Sequence, residues 1–403
     1  MNKNVFAGIF ACVLAVGLLL GPSLSGITPT ANAQAPQGTV KPVLLVAQEV
    51  VVDVAPANQL HPGGVKYNAM TFNGTIPAPV IAVDQGDTLR VTLRNDGQAF
   101  HSLDFHAGFG PSEAVGSGTL GPGESKTWDI KADEAGAFMY HCGADGLNGV
   151  WEHIANGMYG LIVVHPQNEP PAKEFYMTFS ELYNTVGGGP FNDTRGAVGS
   201  FDLVKFMKDE PDLVLTNGMA HKYVPAVGEK VKLDLNPNGT VFKVKPGELT
   251  RWYILNPGPN DGVSFHFISG QIDVHDGFIK NRYGTQLLND ETWWIPPGSA
   301  SVIESIFPEE GLYVGVDHAM NDVVRGGAFA VLGANNSTAT DHPEGTWVPP
   351  KGSSIVAGNA TNVGNQTTTG TPEQAKLPGE NVTGSETQTI TEGTLPQENV
   401  TGG

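Results

Sequence analysis

The chain has 403 residues, enough for two domains of ordinary size with a tail left over, and 40% of them are hydrophobic. Its 41 acidic side chains against 22 basic ones give a formal charge of −19, with no Lys or Arg cluster to interrupt it, which argues against nucleic acid and anionic lipid surfaces as partners. A small anion is a different matter, because a bound cation would set the field inside a pocket whatever the net charge.

Residues 1–33 read as a secretory signal peptide. Lys3 gives a short positive start, Val5 to Leu20 is an apolar run, and Ala31-Asn32-Ala33 is a small-residue cleavage site. The mature chain then begins at Gln34 and is exported, to a periplasm-like space or the cell surface. An uncleaved run would instead be a membrane anchor, since it approaches spanning length. Cleavage also removes Cys12 and leaves Cys142 as the one cysteine, so no intrachain disulfide is available. An exported protein that keeps a single thiol uses it for reactivity or for metal, and the residues around this one favour metal.

From residue 34 to 170 short apolar runs (EVVVDVA, VIAV, TLRVTLRND, TWDIKA, GAFMYHC, GLIVVHP) alternate with turn signals such as Asp84-Gln85-Gly86 and Gly121-Pro122-Gly123. This is the pattern of an all-β sandwich. Two stretches inside it carry chemistry: HSLDFHA from His101, and YHCGADGLNGVWEHIANGMYG from Tyr140. Cys142, His153 and Met158 on one loop, with His101 as a second imidazole, supply the thiolate, imidazole and thioether set of a blue-copper electron-transfer centre. His141 adjoins Cys142, and neighbouring side chains on a strand point to opposite faces, so its ring must point away from that centre and is free for a second metal. The odd spacing of His101 and His106 divides those two rings in the same way.

From 171 to 335 a similar order of strands returns: EFYMTFSEL, DLVLTNG, ELTRWYILNPG, VSFHFISGQIDV, SASVIESIF, GLYVGVD and GAFAVLG. The segment VDQGDTLRVTLRNDGQAFHSLDFHA matches VKPGELTRWYILNPGPNDGVSFHFIS, an alignment that sets His106 against His266. This second copy has no Cys or Met at the ligand loop and cannot build its own electron-transfer copper, yet it keeps His318 at the matching strand end. Residues 336–403 shift to Thr, Asn, Gly, Glu and Pro, a composition expected to be disordered. Asn-x-Ser/Thr triplets at Asn336, Asn359, Asn365, Asn381 and Asn399 make this tail a candidate for N-glycosylation, or for a cell-surface spacer.

On these residues, over about 45 to 335, the chain resembles the copper-containing nitrite reductases, which are two-cupredoxin-domain members of the multicopper oxidase superfamily. The resemblance implies two tandem Greek-key β-sandwich or barrel domains and two coppers per chain. It places a type 1 copper on His101, Cys142, His153 and Met158, and a type 2 copper on His106, His141 and His318. It implies a homotrimer in which the third His comes from the neighbouring subunit, and an active-site carboxylate at Asp104. It puts the second catalytic residue at Gln271, where the family has a His; nearby His266 and His275 are candidates to replace it. The loop from Cys142 to His153 is also longer than in the best-known members. The substrate implied is nitrite, reduced to nitric oxide, with electrons from a small donor protein such as a cupredoxin or cytochrome. Three alternatives stand beside this. A laccase-like oxidase coupling oxygen to a reducing substrate needs His-x-His pairs, and none of the 11 His forms one. Oxidation of a small nitrogen compound such as hydroxylamine would use the same sites. A non-enzymatic electron carrier would leave the second site vestigial, against which stands the retention of all three His.

Overall fold

The structure, a computed structural model, describes residues 38–110, 118–144, 149–224, 241–275 and 287–337. The expected leader at 1–33 and the tail beyond Ser337 lie outside the described residues, and with them the triplets from Asn359 onward. The chain divides into two compact units, 1–360 and 361–403, and both expected domains, 34–170 and 171–335, fall within the first. Among the described residues no helix is long and apolar enough to cross a membrane.

The first repeat contains β1 (Val40–Ala55), β2 (Val65–Phe72), β3 (Ile81–Asp84), β4 (Thr88–Asn95), β5 (Asp104–Phe105), β6 (Ser125–Lys131), β7 (Gly136–His141), a short helix α1 (Val150–Ala155) and β8 (Tyr159–His165). The second contains β9 (Lys173–Leu182), β10 (Val198–Gly199), α2 (Leu203–Lys208), β11 (Leu213–Thr216), β12 (Phe242–Val244), β13 (Leu249–Gly258), β14 (Val263–Phe267), β15 (Ile272–Val274), β16 (Leu287–Asp290), β17 (Thr292–Ile295), β18 (Ser299–Ile306), β19 (Gly311–Asp317), α3 (Met320–Arg325) and β20 (Ala328–Gly333).

Each repeat is a sandwich. Sheet β10-β2-β1-β4-β6 faces β3-β8-β7-β5, and sheet β11-β9-β13-β18-β15-β16 faces β12-β20-β19-β14-β17. Period-two alternation explains β4: Leu89, Val91 and Leu93 enter the core, while Arg90 points out and pairs with Asp129 of β6 at 2.7 Å. In β8 alternation fails because both faces are covered: Ile162 and Val164 enter the first core, and Leu161 and Val163 pack against Tyr176, Tyr253, Leu255 and Val302 of the second repeat. Strands buried on both faces read as continuous apolar runs, and each fully buried Leu or Val there contributes about 1.5–3 kcal/mol. This contact joins the two sandwiches. A buried ion-pair group lies at its edge, where Arg251 donates to Glu304 at 2.6 Å and lies 3.2 Å from Glu169, which accepts from His165 at 2.8 Å.

The repeat read from the sequence is present as repeated pairing. β1 runs parallel to β4, and β9 runs parallel to β13; β3 runs parallel to β8, and β12 to β20. Asn95 and Asn256 close the turns after β4 and β13 alike, each donating to two carbonyls and accepting a backbone N–H two residues on. The register corrects the alignment at one point. Asp104 lies opposite His141, and His266 lies opposite Val316, the position that matches His141 when Gly136 is set against Gly311. His266 is therefore the counterpart of Asp104, not of His106.

Candidate metal centre

Cys142 follows the last residue of β7 and is fully buried. Its Sγ lies 3.2 Å from Nδ1 of His153 and 3.8 Å from Nδ1 of His101. Met158 is also fully buried, and its carbonyl accepts the Cys142 N–H at 3.0 Å, so the two ends of the ligand loop are joined by backbone. His153 is carried not by open loop, as expected, but by helix α1. The turn after α1 is tied down by Asn156, whose side chain accepts from Tyr67 at 3.0 Å and whose carbonyl accepts from Met70 N–H at 3.2 Å. Gly157 supplies φ +113, where a side chain is strained by the backbone, and a Cβ there would also have to displace the end of the Ile76 side chain, 2.4 Å away. Burial pushes the Cys142 thiol up to about 11, against N–H bonds from Ser102 and Ala144. The Ser102 N–H reaches Sγ at 3.3 Å. A buried cluster of a thiol and two imidazole nitrogens, with Met158 buried at the end of the same loop, fits a soft metal ion, whose binding would expel the thiol proton.

The second cluster holds Asp104, His106 and His141. The rings of His106 and His141 are at right angles, with their Nε2 atoms 3.1 Å apart. His141 donates from Nδ1 to the Cys142 carbonyl at 3.0 Å, which turns its Nε2 toward that of His106, an arrangement that a cation between the rings satisfies. Asp104 lies 3.7 Å from His141 Nε2 and its side chain is 46% exposed. The predicted division of rings holds, but strand alternation is not its cause throughout. β5 is only Asp104–Phe105; His101 sits in an isolated bridge with Leu120, and His106 lies beyond the strand end. The turns on either side of β5, not a continuous strand, send the two rings apart.

His318 is not among the donor atoms that gather at this cluster. It stands exposed just past β19, with its N–H donating to the Ser264 carbonyl at 2.7 Å. Its ring meets that of His266, with centroids 5.1 Å apart. His266 donates from Nδ1 to the Glu291 carbonyl at 2.5 Å, which fixes the orientation of its ring. Gln271, which the resemblance put at the second catalytic position, is exposed before β15, and its backbone carbonyl accepts from Ser305 at 2.9 Å. His275 pairs with Glu304 at 2.7 Å in the ion-pair group. Among the described residues it is His266 that meets His318.

Sequence reasoning missed Glu49. Its carboxylate accepts from His101 Nε2 at 3.2 Å and from the backbone N–H groups of Gln98 at 2.9 Å and Ala99 at 3.0 Å. Partial burial raises its pKa, but these bonds outweigh that and hold it at about 2. Glu181 is its counterpart in the second repeat, accepting from Asn260 and Asp261 N–H groups at 2.7 and 3.3 Å. Its cluster partners are the carboxylates Asp209 and Asp261, and burial raises it to about 7.

The family model for multicopper oxidases matches residues 53–169. A copper-containing nitrite reductase of Neisseria meningitidis is 33% identical over 285 residues, 68% of this chain and 66% of that protein, so the chain spans about two thirds of that relative's length. One from Rhizobium meliloti is 31% identical over 70% of this chain and 76% of its own length. The solved copper nitrite reductase of Nitrosomonas europaea superposes with a TM-score of 0.61 at 29% identity, covering 76% of this chain and 98% of that one. A crystal structure of a multicopper oxidase, at 23% identity and a TM-score of 0.56, shares the fold.

Proposed function

Because the chain belongs to the copper-containing nitrite reductases, we propose that it reduces nitrite to nitric oxide with copper at both clusters, two per chain. One observation carries the reading: His141 and Cys142 are adjacent in sequence yet each belongs to a different cluster, so a short covalent path joins them. Bound at Cys142 copper would exchange single electrons, and bound at the His cluster it would serve the anion as a Lewis acid.

Nitrite with one electron and two protons gives nitric oxide and water. Two side chains are placed to handle the protons. Asp104 stands part-exposed beside His141, and the His266 ring, fixed by Glu291, meets His318. These register counterparts belong to different repeats, and His106 and His318 are both exposed. A second copy that brings His318 and His266 against Asp104, His106 and His141 completes the site, which supports the homotrimer. Exposed Ile268, Trp294, Met320 and Val324, from segments around His266 and His318, provide an apolar contact surface for it. A small protein donor, a cupredoxin or cytochrome, supplies the electron, and the leader at 1–33 directs export.

The test is anaerobic nitric oxide release from nitrite with an artificial reductant, run beside oxygen uptake with a phenolic substrate and hydroxylamine oxidation. Nitric oxide without phenol-dependent oxygen uptake is expected. Oxygen uptake without nitric oxide would replace this reading with the oxidase one, and hydroxylamine turnover alone would replace it with the small-nitrogen alternative.

A further inference from the structure

We propose that Glu49 is a positioning residue for the Cys142 cluster, a carboxylate whose place in β1 fixes which nitrogen of His101 faces the thiolate. The inference rests on reading that cluster as a copper site. The geometry leaves little freedom. Oε1 of Glu49 accepts from both His101 Nε2 at 3.2 Å and Ala99 N–H at 3.0 Å, and Oε2 accepts from Gln98 N–H at 2.9 Å. Three donors thus converge on one side chain, and all are satisfied only if both oxygens accept. The ring proton of His101 is then held on Nε2, and the lone pair of Nδ1 points at Cys142 Sγ, 3.8 Å away.

An amide cannot substitute. Whichever way a Gln at this position is turned, its NH₂ group faces at least one N–H donor, either Gln98 or the pair from Ala99 and His101. Glu49 therefore joins three things: the turn after β4, the outer edge of the His101 ring, and β1. The second repeat isolates the structural part of this role. Glu181 accepts the equivalent pair of backbone N–H groups at 2.7 and 3.3 Å, in a repeat that has no thiolate site. A carboxylate that served only the turn would be needed equally in both places. A carboxylate that positions a ligand is needed for the metal in the first place only. Outer partners of metal-bound imidazoles commonly govern affinity by about 10–100-fold.

The experiment compares Glu49→Gln and Glu181→Gln in the full chain by copper affinity, the visible thiolate charge-transfer band and the reduction potential. Glu49→Gln should weaken copper at Cys142 by about tenfold or more and shift band and potential, while Glu181→Gln leaves all three unchanged. Equal effects from both variants, or no change in Glu49→Gln, would overturn the assignment. Should Glu49→Gln fail to fold, nitrogen-15 spectra of the histidine-labelled, copper-free, unaltered chain decide the matter: His101 protonated on Nε2 supports the role, and protonation on Nδ1 refutes it. If the unaltered chain takes up no copper at Cys142, the copper reading fails, and the His101 tautomer still decides what Glu49 does.

Discussion

The thiol of Cys142 is fully buried and its pKa is pushed up to about 11, so copper-free protein holds it protonated at neutral pH. Metal uptake must expel that proton, and copper affinity at this site should rise by about tenfold per pH unit below that value. Affinity flat with pH would contradict this. Cys142→Ser should abolish the intense visible colour while copper remains at the His cluster; retained colour would refute the ligand assignment. For the proton-handling pair, His266→Ala should lower nitrite turnover by about a hundredfold or more, whereas Gln271→His and His275→Ala should each leave it within about twofold. A large gain from Gln271→His would return the role to that position. Glu181 gives a stability prediction with a definite sign. Its carboxyl is raised from 4.5 to about 7 in the folded chain, so its contribution is fully present below pH 4.5 and is lost as pH rises through 7. Chemical unfolding should therefore show stability falling across that window by a few kcal/mol (about 1.4 per unit), and Glu181→Gln should flatten the fall. An unchanged slope would exclude Glu181 as its source. At this scale the gathering of His101, Cys142 and His153 was legible because Cys142 and His153 share one short segment with Met158. Glu49 was not, because it reaches His101 from a distant strand, and a glutamate in an apolar run announces nothing.

At the scale of elements, the sequence showed the strands wherever apolar runs met Gly and Pro, but not the pieces too short for a period. Helix α1, strand β5 and helix α3 have six, two and six residues, and each adjoins or carries a site residue. The repeat was legible, yet its register was not. The turns after Asn95 and Asn256 differ in length, and only the pairing of Asp104 with His141 and of His266 with Val316 shows that His266 matches Asp104. Gly157 tests how tightly the ligand loop is built. Gly157→Ala must place a Cβ 2.4 Å from Ile76 at φ +113, a cost of about 1–3 kcal/mol for the backbone before any clash is counted. We expect a lower melting temperature together with a shifted charge-transfer band, since Met158 follows directly. A stable variant with an unchanged band would show that the turn is slack.

At the scale of the whole molecule, one sandwich displays Asp104, His106 and His141 and the other displays His266 and His318, and the packing of β8 against β9, β13 and β18 joins the two. The double-sided burial of β8 was visible as an unbroken apolar run, whereas the separation of His318 from His106 and His141 was expected only through the family resemblance, since sequence order carries no distance. Nitrite reduction at a site assembled from two copies is tested by measuring nitric oxide release from oligomers reassembled from two inactive chains, His106→Ala and His318→Ala. Each alone should be inactive. Mixed oligomers bring an intact His106 on one chain to an intact His318 on another and should recover a substantial fraction of the activity of the unaltered protein. Mixed oligomers as inactive as either parent would contradict the account.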